Sequence, residues 1–417
     1  MADTGATARR IDPYLLMAAL YLTVGVLALA GRLALEAGVV SGLPRARWTT
    51  IHLVTIGGMT QALFGALPRL VRAAGGTLAA DRSAVRWLLL NVGYPLVLVG
   101  MTAGSTLVAV AGATLVLVAL GSLGIAVARA SGPAEVGAFR TAPWFLALGI
   151  LAALGILTGV HGPGGYFGSL EAHVHANVWG FLGLTAAGAL SLLVPVVAGE
   201  ALPRPRWRRW SFAGIAVGAA GLVAGPWLAL APVTFGGLAV YLAGTVLLLA
   251  NVVGAWRAAG GFDARLGHVL GAYVWLLFPV PWAPFVLLAP ELVAAGAIER
   301  AAIDGLVFGW MLQLAMAFLP VVIAWTGAGG RDFAGAAAAV GEPSRLGLVS
   351  VNAGVLALWV TAMPIAEQFD DPLALAGLSL VGLAWALFVV QLWGGLAGSS
   401  RSGPAPVAFS GEPHDAD

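Results

Sequence analysis

The stretch Glu171-Ala172-His173-Val174-His175-Ala176-Asn177-Val178-Trp179-Gly180-Phe181 opens an apolar run that reaches Val197. A bilayer core penalises an ionisable side chain by several kcal/mol unless it finds a partner, so two histidines and an asparagine inside such a run mark a functional site. Residues two apart on a helix are separated by about 200° around its axis, which sends His173 and His175 to nearly opposite sides. One helix can thereby serve two pockets.

The rest of the chain places this run in a membrane. Of its residues 60% are hydrophobic and only 10% charged, where soluble domains carry about 25% charged residues. All 21 basic residues are arginine, and with a formal charge of +2 they read as loop anchors rather than a nucleic-acid footprint; no nucleic-acid partner is expected. The chain has no cysteine, which excludes disulfides, iron–sulfur clusters on its own thiolates and zinc–thiolate sites. A metal would have to rest on His, Met, Asp or Glu.

Twelve apolar runs of membrane-spanning length follow one another along the chain. The second covers Thr50 to Leu70, the fifth Trp144 to Val160, the sixth Ala172 to Val197, the seventh Trp210 to Leu230 and the ninth Leu266 to Leu288. The tenth covers Ala302 to Ile323, and the eleventh, the shortest, Leu348 to Met363. Arg9-Arg10 before the first run and Ala28-Leu29-Ala30 near its end imitate a signal peptide, but an even number of spans agrees better with the charges. With both termini cytoplasmic, 17 of the 21 arginines fall on the inner side, and Arg32, Arg45, Arg47 and Arg300 remain outside. The expected location is therefore the inner or plasma membrane, crossed many times, with lipid as the surrounding partner. Residues 399–417, rich in Gly, Pro and acid, are expected to form a disordered tail.

An internal repeat organises the spans. The second holds Ile51-His52-Leu53 with Gln61 and Pro68 nine and sixteen residues after the histidine; the tenth holds Ile303-Asp304-Gly305 with Gln313 and Pro320 at the same distances. The sixth shares the pattern around His175, Trp179-Gly180-Phe181 and Pro195. The chain thus reads as three quasi-equivalent four-helix units, about 12–130, 142–258 and 262–396, each with a polar residue near the outer end of its second helix.

His173-Val174-His175 followed by Ala176-Asn177-Val178-Trp179-Gly180-Phe181 and Leu193-Val194-Pro195 resembles the haem-bearing helix of haem-copper oxidase catalytic subunits (subunit I), closest to the branch of C-type oxidases and nitric-oxide reductases. The second span, with His52 ahead of Gly57-Gly58, looks like that family's helix carrying the other low-spin haem ligand. The resemblance implies an all-α integral membrane fold of twelve helices and low-spin haem b between His52 and His175, with His173 serving a further pocket. It also implies that Gly57 and Gly180 clear space for the macrocycle, that Arg45 and Arg47 face its propionates, and that a redox protein docks outside. In the family the paired histidines stand on the tenth helix, whereas here they stand on the sixth and the tenth carries Asp304. The seventh span contains no histidine and no adjacent His-His pair exists, so the usual copper ligands are missing and haem-copper oxygen reduction is not expected.

The remaining polar residues have structural readings beside functional ones. His161 falls in a glycine-rich loop, with a ligand or haem-edge role as its alternative, and His268 reads as structural. Asp304 must be neutralised or paired inside the membrane, and a place beside His173 as hydrogen-bond partner or proton-linked group is the sharper expectation, as it is for Asn177. Three functions remain open: a haem protein of electron transfer or of nitric oxide and oxygen chemistry, a haem- and copper-containing protein of the nitric-oxide stress response, and a secondary transporter. Whether the chain catalyses a reaction is left undecided by the sequence.

Overall fold

The computed structural model describes residues 11–78, 83–330, 332–363 and 369–401. Arg9, Arg10, Arg82 and Arg331, and all of the expected tail beyond Arg401, lie outside the described residues. The described chain is helical, as a bilayer requires of a backbone that must satisfy its own hydrogen bonds. The helices are α1 (Pro13–Glu36), α2 (Ala46–Ala73), α3 (Ser83–Thr102), α4 (Thr106–Ala128), α5 (Ala134–Thr158), α6 (Gly165–Ala198), α7 (Trp207–Trp227), α8 (Ala231–Ala258), α9 (Ala264–Leu288), α10 (Ala295–Gly327), α11 (Arg345–Val360) and α12 (Asp370–Arg401).

Eleven of the described helices are long and apolar enough to cross a membrane. The number becomes twelve if α11 and the short helix Phe333–Val340 before it, bent by 84° from one another, count as one span. The 16 residues of α11 extend only about 24 Å at 1.5 Å per residue, less than a hydrocarbon core of about 30 Å. Large apolar side chains such as Leu27, Leu107, Val246 and Val390 face outward, where lipid rather than water suits them. The protein is a multi-pass helical membrane protein.

Several helices begin well before the apolar run that announces them. α6 starts at Gly165 rather than Ala172, α10 at Ala295 rather than Ala302, and α5 at Ala134 with Pro143 inside it. The added turns of α6 and α10, which include Glu171, Glu299 and Arg300, belong to the end of the molecule that carries the histidines. Arg32 is a second departure, since it is not a loop residue but a buried one near the end of α1. Arg86 and Arg265 are also buried; the guanidinium of Arg265 donates to the carbonyls of Ala317, at 3.1 Å, and Gly341, at 2.7 Å. His268 is buried beside it with Nε2 3.4 Å from the Ser344 carbonyl.

Each four-helix unit closes on itself in the same manner. Its third and fourth helices (α3 and α4, α7 and α8, α11 and α12) form a close hairpin. Their backbones meet at glycines: Gly93 against Gly112, Gly221 against Gly237, and Gly354 against Gly377. Without a hydrophobic force between helices in lipid, such close backbone approach supplies the dispersion contacts that hold them. α1 packs against α12, joining the first unit to the last. The second helices of the units, α2, α6 and α10, converge at the centre, and the most apolar stretch of α10 is entirely enclosed by protein.

Candidate functional site

α2, α6 and α10 share a local departure from α-helical geometry. Each widens into a π-helical segment immediately after the polar residue that aligns the three sequences: Leu53–Thr60 after His52, Ala176–Leu182 after His175, and Gly305–Leu312 after Asp304. Such segments are rare in helices and are found mostly at functional sites. Here they recur in one register in three helices, at one end of the molecule.

His52 is held on two sides. Its ring stacks on Trp48, with centroids 3.9 Å apart and planes 23° from parallel, and its Nδ1 lies 2.8 Å from the Trp48 carbonyl. A carbonyl only accepts, so Nδ1–H is the donor and Nε2 keeps its lone pair. Tyr94 donates its hydroxyl to the His52 carbonyl at 2.8 Å, fixing the backbone at the start of the π segment.

His173 is built the same way across the α5–α6 contact. Its Nδ1 donates to the Gly149 carbonyl at 2.8 Å, with the amide of Asn177 one turn further on and 3.1 Å from the same nitrogen. The Asn177 carboxamide lies over Gly149, where any side chain would collide with it. Gly149 is thus a site residue that the sequence did not single out, one small residue in a helix rich in them.

The geometry redistributes the histidine pair. The imidazole of His173 turns towards Gly149 of α5. His175 turns the other way, towards the backbone at Leu222 of α7, the edge of the Trp179 ring and the Glu171 carboxylate 3.8 Å from its Nε2. His173 and His175 thus meet different neighbours, as the 200° between residues i and i+2 allows. Nδ1 of His175 is buried with no hydrogen-bond partner.

Asp304 does not join the His173 pocket. Its carboxylate stands between two guanidinium groups, 3.5 Å from Arg32 Nη2 and 3.1 Å from Arg47 Nη2. Arg47 also donates to the Arg300 carbonyl at 2.7 Å. Arg32 Nε also lies 4.0 Å from the Glu36 carboxylate on its own helix, and Arg32 Nη1 and Arg47 Nε are buried without hydrogen-bond partners. Arg45, by contrast, is exposed at the head of α2 in a left-handed conformation, φ 54°. His161 is exposed in its loop, its ring edge-on to Tyr166 at 5.8 Å.

The glycines expected to clear a flat cofactor are instead filled in. A side chain at Gly57 would meet Tyr21 at 2.7 Å and Tyr94 at 3.1 Å, and one at Gly180 would meet the Phe145 ring at 2.5 Å. These glycines admit aromatic rings from α1, α3 and α5, which occupy the space a flat cofactor was expected to use there. Among the described residues no three His, Asp or Glu side chains gather closely enough to hold a metal ion by themselves. No family model matches the sequence, and no curated protein matches it either.

Proposed function

We propose that the chain is a membrane protein of the haem-copper oxidase subunit I type that binds b-type haem through helix-borne histidines, for electron transfer or for chemistry on nitric oxide or oxygen, without the usual copper site. His52 and His173 would hold the iron, and His175 would be the remaining ligand candidate on the other face of α6. The observation that carries this reading is the matched preparation of two imidazoles on different helices. Each gives Nδ1–H to a backbone carbonyl and retains its Nε2 lone pair, the state of a histidine that ligates metal. The orphaned donors of Arg32 and Arg47 suit the carboxylates of porphyrin propionates and displace Arg45 from that role.

Bound between neutral imidazoles, haem would supply one-electron exchange or the binding of a diatomic gas. The chain's own contribution is to hold both rings in one tautomer, to stack Trp48 on His52 and fix its backbone through Tyr94, and to supply the Arg32 and Arg47 guanidinium groups nearby. The test is a reduced-minus-oxidised difference spectrum on the detergent-purified full chain, with haem and copper counted per chain. Split low-spin bands that vanish in His52→Ala and His173→Ala but persist in His161→Ala are expected. A five-coordinate ferrous form that binds nitric oxide would shift the reading to a nitric-oxide stress protein. Absence of haem would end the cytochrome reading and favour a secondary transporter, for which the buried Arg32–Asp304–Arg47 cluster is the supporting observation.

A further inference from the structure

The three central helices do not close completely. Between α2, α6 and α10 lies a cavity of about 110 Å³, and its lining repeats in the same register as the histidine end. Met59, Leu182 and Met311 all face it, each seven residues after His52, His175 and Asp304 respectively. Leu70, Leu193 and Val322 face it further along, each eighteen residues after the same three positions. The space arises from residue size: at the intermediate positions the three helices present Ala62, Ala66, Ala186, Ala189 and Ala315, and small side chains meeting at a common centre leave it unfilled.

The chemistry of the wall decides what can occupy it. Thr185 returns its hydroxyl to the Phe181 carbonyl of its own helix at 2.7 Å, so it offers the cavity little. Trp310 Nε1 is buried without a partner, and one indole donor falls short of the two to four polar contacts that hold a water. The remaining lining is aliphatic, aromatic or thioether. A designed apolar cavity of about 150 Å³ stays dry and takes up benzene or xenon, which sets the scale. A porphyrin is too large, and an ion finds no counter-charge.

We propose that this cavity on the axis of the three units is a binding site for a small apolar molecule of the diatomic-gas class, held by dispersion alone. The proposal stands on the cavity and does not rest on haem being bound. The probe is xenon. Crystals or detergent-solubilised full-length protein placed under xenon pressure should show a single dominant xenon position enclosed by Met59, Leu182 and Met311, by anomalous scattering or by ¹²⁹Xe exchange. Ala186→Phe and, independently, Ala189→Leu should each weaken that occupancy at least tenfold with the helical content unchanged, and two sites of substitution guard against one variant failing to fold. Xenon absent from the cavity in the unaltered protein, ordered water in it, or a lipid or detergent chain threading it would overturn the proposal.

Discussion

At the scale of single residues, the ionisable groups inside this protein are paired by geometry that the sequence could not display. Asp304 illustrates it: its position in the tenth span announced a buried carboxylate, but its partners, Arg32 and Arg47, lie in the first and second helices. Removing one member of a buried ion pair strands the others, and the cost is usually about 3–5 kcal/mol. Asp304→Asn should therefore lower unfolding stability in detergent by roughly that amount, and the double substitution Asp304→Asn with Arg32→Met should recover part of it. A cluster that contributes nothing would leave both melting curves on that of the unaltered protein. The histidines show both the power and the limit of reading from sequence. Opposed faces for His173 and His175 followed from helix geometry, whereas the groups each meets, the Gly149 carbonyl for one and Trp179 and Glu171 for the other, depend on packing that no local pattern encodes.

At the scale of elements, glycines one residue apart have opposite duties. Gly237 of α8 sits 2.8 Å, measured from where its side chain would begin, from the Gly218 carbonyl and from the Gly221 backbone, while Gly236 faces open space. Gly237→Ala must push two backbones apart and is expected to destabilise by about 1–3 kcal/mol; Gly236→Ala should be neutral or stabilising by up to about 1 kcal/mol, from the helix propensity of alanine. Thermal melts of the two variants, measured side by side, check the assignment, and equal shifts would contradict it. The existence of the helices was legible because long apolar runs admit little else in a bilayer. Their outer starts were not, because the first turns of α6 and α10 precede the apolar runs. The π-helical turns Leu53–Thr60, Ala176–Leu182 and Gly305–Leu312 were not legible either, since their side-chain pattern is that of any apolar membrane helix.

At the scale of the whole molecule, the three polar positions that aligned the sequences also index the π segments and the rings of the central cavity. Orientation can be tested directly, since the chain has no cysteine of its own and a single introduced thiol reports without background. With positive loops held in the cytoplasm, a cysteine at Val39, in the exposed turn after α1, should react with an impermeant maleimide on intact cells. One at Pro205, within the arginine-rich segment before α7, should react only after the membrane is opened. The reverse pattern would invert the topology.

The link between Arg32 and Asp304 spans 272 positions of chain. During synthesis the guanidinium enters the membrane first and waits, for a period on the order of tens of seconds at ordinary translation rates, until the helix bearing its counter-charge emerges. A nascent chain arrested before α10 leaves that cation with only Glu36, 4.0 Å away on its own helix; the carboxylate buried with it arrives with the last third of the protein.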